Sequence, residues 1–398
     1  MIPRPYPLHV LAVIIYLTAR FSYTCPMSKK ERIREKALEL GFEGAGFGGL
    51  DTLDTYIQEI ESRPEMYAWL SEYDFSTLRG ASPREKHPWA RSMVVLIRNY
   101  YRKRFPEELE GIYGRCYMVD ERKVHGEEHA RIRSFMDFLR GEGMEVRYDG
   151  ETPARMAAAR AGLVTYGKNC FAFARDSMME SSWLESIPFL LDVDLEPDEP
   201  SVELDCPPDC KDSCIKACPT GALYEPLKMN PLLCIAFHTY YGEDITPLEL
   251  REPMGTWVYG CDRCQEACPR NRPWMKQELP VNDDLASKVA DFSLSTLLRM
   301  DQSHYEEKVW PQFFYMSRKR IDRWQMNAAR AMGNRGDPDD IPALERTLQE
   351  SPYENVRGMS AWALGRIGGA RSRSALEERR GVESGIVAEE IERALSML

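Results

Sequence analysis

The sequence contains no apolar run of the ~20 residues that a membrane-spanning helix needs. Leu8–Leu17 (LHVLAVIIYL) has only the length of a signal-peptide core. Arg4 is the single positive charge before it, no twin-arginine pair is present, and Ser22, Tyr23 and Thr24 do not make a lipoprotein cleavage box ahead of Cys25. Met27 instead opens MSKKERIREKALELGF, an amphipathic helix start with Ser28 as its N-cap. We read residues 1–26 as a dispensable extension or a mis-assigned start, and the protein as cytoplasmic. Positive charge is also in deficit, with 52 Lys and Arg against 63 Asp and Glu and a net charge of −11. That argues against a general polyanion binder and leaves room for a local basic patch. A convincing phosphate loop is missing too. GFEGAGFGGL (41–50) is rich in glycine but lacks a strand running straight into a helix.

Cysteine is sparse except in one place. Of 11 cysteines, Cys25, Cys116 and Cys170 are scattered, and the rest fall between Cys206 and Cys268. A disulfide scaffold would be short, with its cysteines spread along the chain. Clustering inside a long chain points to metal in a reducing compartment. Cys116 and Cys170 read as small buried thiols.

The length suits two or three domains. Residues 27–200 show mixed α/β patterning. Helices are expected at Ile33–Leu40, His125–Arg140 and Pro153–Ala161, and strands at Met93–Ile97, Glu145–Tyr148 and Ile187–Leu191. Glu196–Pro200 (EPDEP) reads as a linker into the cysteine-rich module, 201–275. The remainder, 276–398, is helical and carries a repeat of period 32. AARAMGNRGDPDDIPALE (328–345) aligns with SAWALGRIGGARSRSALE (360–377), placing Gly333 and Gly365 in register. Such helix pairs stack into a short HEAT-like solenoid, normally a docking surface.

The module has two runs. Cys206, Cys210, Cys214 and Cys218 precede Pro219; Cys261, Cys264 and Cys268 precede Pro269, with Cys234 upstream. Two-cluster ferredoxins use C-x2-C-x2-C-x3-C-P, in which the last cysteine of each run ligates the other cluster. A tight loop wraps three thiolates around one cubane, and its fourth corner faces away. That crossing rule assigns Cys206, Cys210, Cys214 and Cys268 to one 4Fe–4S cluster, and Cys218, Cys234, Cys261 and Cys264 to a second. The three-residue spacers of the first run and the 26 residues between Cys234 and Cys261 are irregular but remove no ligand. Tetrahedral zinc, the alternative, does not call for eight ligands and two C-x3-C-P endings.

With its neighbours, the module resembles the epoxyqueuosine reductase family, cobalamin-dependent iron–sulfur relatives of the reductive dehalogenases. The likeness is carried by ALELGFEGAGFG (37–48), ARAGLVTYGKN (159–169), CIKACPTGAL (214–223), GTWVYGCDRCQEACPRN (255–271) and NAARAMGN (327–334). It implies an α+β multidomain fold: a mixed α/β cofactor domain, a two-cluster ferredoxin-like module and a C-terminal α-helical HEAT-like repeat. It further implies cobalamin near Gly162, Leu163, Gly167, Lys168 and Asn169, fed by the nearer cluster. The substrate would be an epoxide on a modified tRNA base, with Asp149 as the general acid. An electron donor such as ferredoxin or flavodoxin is implied as well. Two segments depart from the family. YGRCYMVD (113–120) stands where an Asp-Tyr-His element is expected, and Ile235–Tyr241 replaces a Ser-Tyr-Leu-Thr-Ile-Glu element. These departures favour a second reading, a two-cluster electron-transfer partner without corrinoid or tRNA substrate.

Asp149 precedes Gly150 after a strand and also suits a plain turn aspartate. Lys168 also suits a solvated lysine, and His238 a hydrogen-bonded, half-buried histidine. Arg318, Lys319, Arg320, Arg323, Arg330 and Arg335 form a basic stripe at the entry to the repeat. The stripe suits a solvated helix face; the sharper reading is a phosphate-contact patch, with Arg318, Lys319, Arg320 and Arg323 meeting tRNA.

Overall fold

The computed structural model describes residues 27–71, 76–120, 122, 126–175, 181–242 and 244–398. The expectations for residues 1–26, and the start of a helix at His125, lie outside them. Helix α1 (Lys29–Glu39) is closed by Ser28 in a reciprocal capping box with Glu31. The first domain is built on an antiparallel sheet ordered β1-β2-β6-β3, from β1 (Gly44–Gly48), β2 (Ser92–Asn99), β3 (Val146–Tyr148) and β6 (Leu184–Leu191). Strands β4 (Val164–Tyr166) and β5 (Ala172–Ala174) form a separate hairpin.

Strand β2 reads as an unbroken apolar run because both its faces are covered. Val94 and Leu96 pack with Ile33 of α1 and with Ile132 and Phe135 of α2 (Glu127–Gly141). Met93, Val95 and Ile97 pack on the other face with Ala157, Ala158 and Ala161, the first two in α3 (Ala154–Arg160). The glycine-rich stretch is thus no nucleotide loop; it is the edge strand β1. A Cβ at Gly46 would sit 2.3 Å from the Ala161 carbonyl oxygen, so glycine lets this strand lie against the end of α3.

The expected linker is anchored to the first domain. Asp198 accepts hydrogen bonds from Lys30, from Arg34 and from the Phe47 N–H at 2.7–2.8 Å. From the other side, Phe105, Leu109, Tyr113 and Met118 leave the first domain and join the core of the C-terminal helices. The repeat comprises α4 (Ile321–Arg335), α5 (Ile341–Glu350), α6 (Glu354–Ile367), α7 (Gly369–Arg379) and α8 (Gly385–Met397). Its registered glycines serve close packing: a Cβ on Gly333 would meet Ala363 Cα at 2.8 Å, and one on Gly365 would meet Ala394 Cα at 2.7 Å. Among the described residues no helix is long and apolar enough to cross a membrane.

Candidate iron–sulfur site

The first cysteine run bends tightly. Pro208–Cys210 forms a helical turn, Lys211 and Asp212 take left-handed φ angles of 48° and 58°, and a one-turn helix follows at Ser213–Ala217. Proline after Cys218 ends this unit, as the spacing requires. Cys234 enters from a turn at Pro231–Leu233, and Cys261 from an irregular stretch stitched to Ile112 by backbone bonds.

The thiols gather in two quartets. Cys214 feels the charges of Cys210, Cys268 and Cys206, and Cys268 those of Cys206 and Cys210. Cys264 feels Cys261, Cys234 and Cys218. Each neighbourhood thus draws on both cysteine runs. Burial, with the neighbouring thiols adding to it, pushes Cys214 up to about 11, and burial raises Cys261 and Cys264 further. A multivalent iron core is what such a gathering of sulfurs would serve, since its cysteine ligands bind as thiolates. The donor set therefore suits two 4Fe–4S clusters.

The loop expected at the corrinoid is engaged with this module. The Lys168 N–H points at Cys206 Sγ (3.4 Å), and the Lys168 ammonium pairs with Asp212 at 2.6 Å. Asn169, 3% exposed, donates to the Cys264 carbonyl at 3.4 Å and accepts from the Phe171 N–H. A Cβ on Gly167 would strike the Phe173 ring, and one on Gly162, at φ 71°, would strike the Glu199 carbonyl. Leu163 packs over Gly44 and Gly46. All five residues are committed to the chain's own contacts. Of the five, Lys168 and Asn169 reach the cluster module, while Gly162, Leu163 and Gly167 pack within the first domain and its linker.

Asp149 ends β3. Its N–H donates to the Pro188 carbonyl; its carboxylate accepts the Glu151 N–H at 3.1 Å and the Thr152 hydroxyl, with Lys86 3.9 Å away. At 4% exposure it stabilises the turn into α3. His238 behaves as the plainer reading has it, with Nε2 2.6 Å from the Leu232 carbonyl; burial lowers its pKa.

Sequence reasoning missed Arg115. Its guanidinium reaches Glu266 at 2.7 Å and Asp262 at 3.2 Å, and its N–H also donates to Asp262, which stands between Cys261 and Cys264. The signal was a basic residue inside the divergent 113–120 segment. Such a segment shows which residues change, but not what they reach.

The basic stripe needs correction. Arg323 is 1% exposed and Arg330 fully buried, because α4 turns this face inward onto the cluster module. Arg323 therefore cannot contact phosphate. Arg335 is held by Asp340 and Arg320 by Asp322. Arg318, lying 3.9 Å over the Trp310 ring, and Lys319 remain exposed.

A chain so built is a double-cluster iron–sulfur oxidoreductase carrying a helical repeat. Residues 206–271 match the model of a 4Fe-4S double cluster binding domain, and residues 322–396 that of HEAT repeats. Epoxyqueuosine reductase of Bacillus subtilis (strain 168) is 28% identical over 93% of this chain and 96% of its own length. That of Escherichia coli (strain K12) is 28% identical over 84% and 88%. Two epoxyqueuosine reductase structures superpose over 93% of this chain and 98% of theirs. One, selenomethionine-labelled, gives a TM-score of 0.78 at 27% identity; the other, with a tRNA-Tyr epoxyqueuosine-modified stem loop, gives 0.74 at 26%. A third, from Bacillus subtilis, has its catalytic aspartate loop swung out of the active site, with a TM-score of 0.77 at 27% identity and the same coverage. The chain is thus similar to epoxyqueuosine reductases over nearly its whole length.

Proposed function

We propose that this chain reduces the epoxide of epoxyqueuosine in tRNA with electrons carried by its two clusters. The observation that carries this reading is the pair of crossed thiol quartets inside a fold that follows, end to end, a relative solved with its modified stem loop. Cys206, Cys210, Cys214 and Cys268 hold one cluster; Cys218, Cys234, Cys261 and Cys264 hold the other. Removing an epoxide oxygen as water takes two electrons and two protons. The clusters pass electrons singly, and Asp149, released from its turn, delivers a proton to the departing oxygen. Electrons come from a small donor such as ferredoxin or flavodoxin in the cytoplasm. Arg318 and Lys319, the exposed members of the stripe, supply phosphate contacts at the entry to the repeat.

The test is anaerobic purification with and without cobalamin, followed by turnover on an epoxyqueuosine-bearing stem loop. Product formed at the expense of a low-potential reductant supports the reading. The carrier alternative draws on the engagement of Lys168 and Asn169 with the cluster module and on the Arg115 segment. A chain that holds both clusters and passes electrons to a partner, yet binds neither cobalamin nor tRNA, would establish that alternative instead.

A further inference from the structure

One face of α4 does more than pack the repeat. Asn327, Arg330 and Asn334 fall three and four residues apart and so share a side of the helix. Asn327 is fully buried, and its amide nitrogen donates to the Thr239 carbonyl at 2.8 Å and the Val258 carbonyl at 3.0 Å. Arg330, also fully buried, donates to the Gly255 carbonyl at 2.8 Å and to the Trp257 carbonyl. Asn334 donates to the carbonyls of Arg251 (2.6 Å) and Gly255 (2.8 Å). Three donor side chains thus serve a stretch that ends at Cys261 and has little regular structure to satisfy its own carbonyls. Arg330 has no carboxylate partner among the described residues; backbone oxygens alone hold it.

The bonds to Thr239 and Val258 matter most. Cys234 lies five residues before Thr239, and Cys261 three residues after Val258. The two cysteines belong to one quartet but are separated by 26 residues, where a regular ferredoxin loop has two. A single Asn327 amide joins both approaches, and the Gly260 N–H donates across the same gap to the Thr239 hydroxyl at 3.0 Å. Beside them the Tyr259 ring stacks on Trp324 of the same helix, 5.0 Å apart at 5°. Among the described residues, none of the 206–218 run is a hydrogen-bond partner of Asn327, Arg330 or Asn334.

We infer that Asn327, Arg330 and Asn334 are positioning residues for the cluster held by Cys218, Cys234, Cys261 and Cys264, closing through the repeat the gap that its split cysteine loop leaves open. The inference rests on the ligand assignment proposed above. Metal ligands must be held within about half an ångström of their working positions, and the partners that orient them are worth ~10–100-fold in metal affinity.

The test uses anaerobically reconstituted full-length protein. Cys214→Ala and Cys264→Ala first give the electron-paramagnetic-resonance signature of each remaining cluster; if neither loses half of the iron, the ligand assignment fails, separately from the clamp. Asn327→Leu and Arg330→Met are then expected to release the iron of the Cys234 cluster to a chelator ~10–100-fold faster. Its spectrum should alter while the Cys206 cluster's does not, and Arg330→Lys, which keeps a donor, should recover most of the loss. Gly365→Val, which disturbs repeat packing away from the clamp, is the control: it should lower the melting temperature with both clusters intact. The inference is overturned if the clamp variants melt early like Gly365→Val but keep wild-type iron and spectra. Iron loss from both clusters alike would overturn it too. Should Asn327→Leu fail to fold, the Arg330→Met and Arg330→Lys pair decides.

Discussion

Replacing Asp149 by Asn separates chemistry from architecture. In the turn after β3 the carboxylate accepts the Glu151 N–H at 3.1 Å and the Thr152 hydroxyl, with Lys86 at 3.9 Å already paired to Glu151. Asparagine keeps an oxygen for the Glu151 N–H, and the Thr152 hydroxyl can rotate to accept from the new amide. The cost to folding is one weakened hydrogen bond to a charged group, about 1–2 kcal/mol. Thr152→Val breaks the same bond while leaving the carboxylate, so the two variants should melt at nearly the same temperature. Their activities should differ. Loss of a proton donated in the transition state slows turnover by ~10²–10⁴-fold. Asp149→Asn should therefore show that loss with normal iron content, and Thr152→Val should stay within a few-fold of wild type. The assay is single-turnover reduction of an epoxyqueuosine stem loop with a chemical reductant in excess. Equal activity in the two variants, whether high or low, would refute the assignment of Asp149 as the acid.

Other outcomes follow from the same geometry. Reconstituted protein should carry about eight iron and eight acid-labile sulfide per chain, and Cys214→Ala about half of each, by elemental and sulfide analysis. Charge reversal at Arg318 and Lys319 should weaken stem-loop binding and lower its salt slope by ~0.7–0.9 for each phosphate no longer neutralised, measured by fluorescence anisotropy. Arg323→Gln should leave the slope unchanged and lower the melting temperature, since that side chain is buried. Burial alone would raise the Asp198 carboxyl, but hydrogen bonds from Lys30, Arg34 and the Phe47 N–H hold it below the usual carboxylate range. Its stabilising effect is therefore present above the unfolded value, about 3.9, and is lost as pH falls through the lower folded value. Asp198→Asn should accordingly melt below wild type at pH 7, the two curves converging in acid.

Much of this was legible wherever the signal is local. Ser28 with Glu31 three residues on announces a capping box, and the 32-residue period with Gly333 and Gly365 in register announces stacked helices. The double-cluster module was legible because its two C-x3-C-P endings are local, and the domain match falls on the same stretch, 206–271. Strand β1 was not, since GAGFG has neither the bulk nor the alternation of a strand; its reason lies in the Ala161 carbonyl against Gly46, a contact between distant residues. Arg323 and Arg330 misled for a related cause. Charged residues at helical spacing look solvated until it is known that the face meets backbone carbonyls, and those belong to a stretch some 70 residues away.

The segment around Arg115 is tied both to the C-terminal core and to the second cysteine run. Phe105, Leu109, Tyr113 and Met118 are locked into the C-terminal core, and Arg115 between them grips Asp262 inside the second cysteine run. Its guanidinium also lies near the Tyr101, Phe105 and Trp183 rings, 5.5–5.9 Å from their centroids, so the segment is fixed from both sides. Removing one member of such a buried ion pair costs ~3–5 kcal/mol, which constrains position 115 strongly. The neighbouring Cys116 is half-buried, and desolvation raises its thiol pKa. Position 115 is tied directly to the loop that carries Cys261 and Cys264.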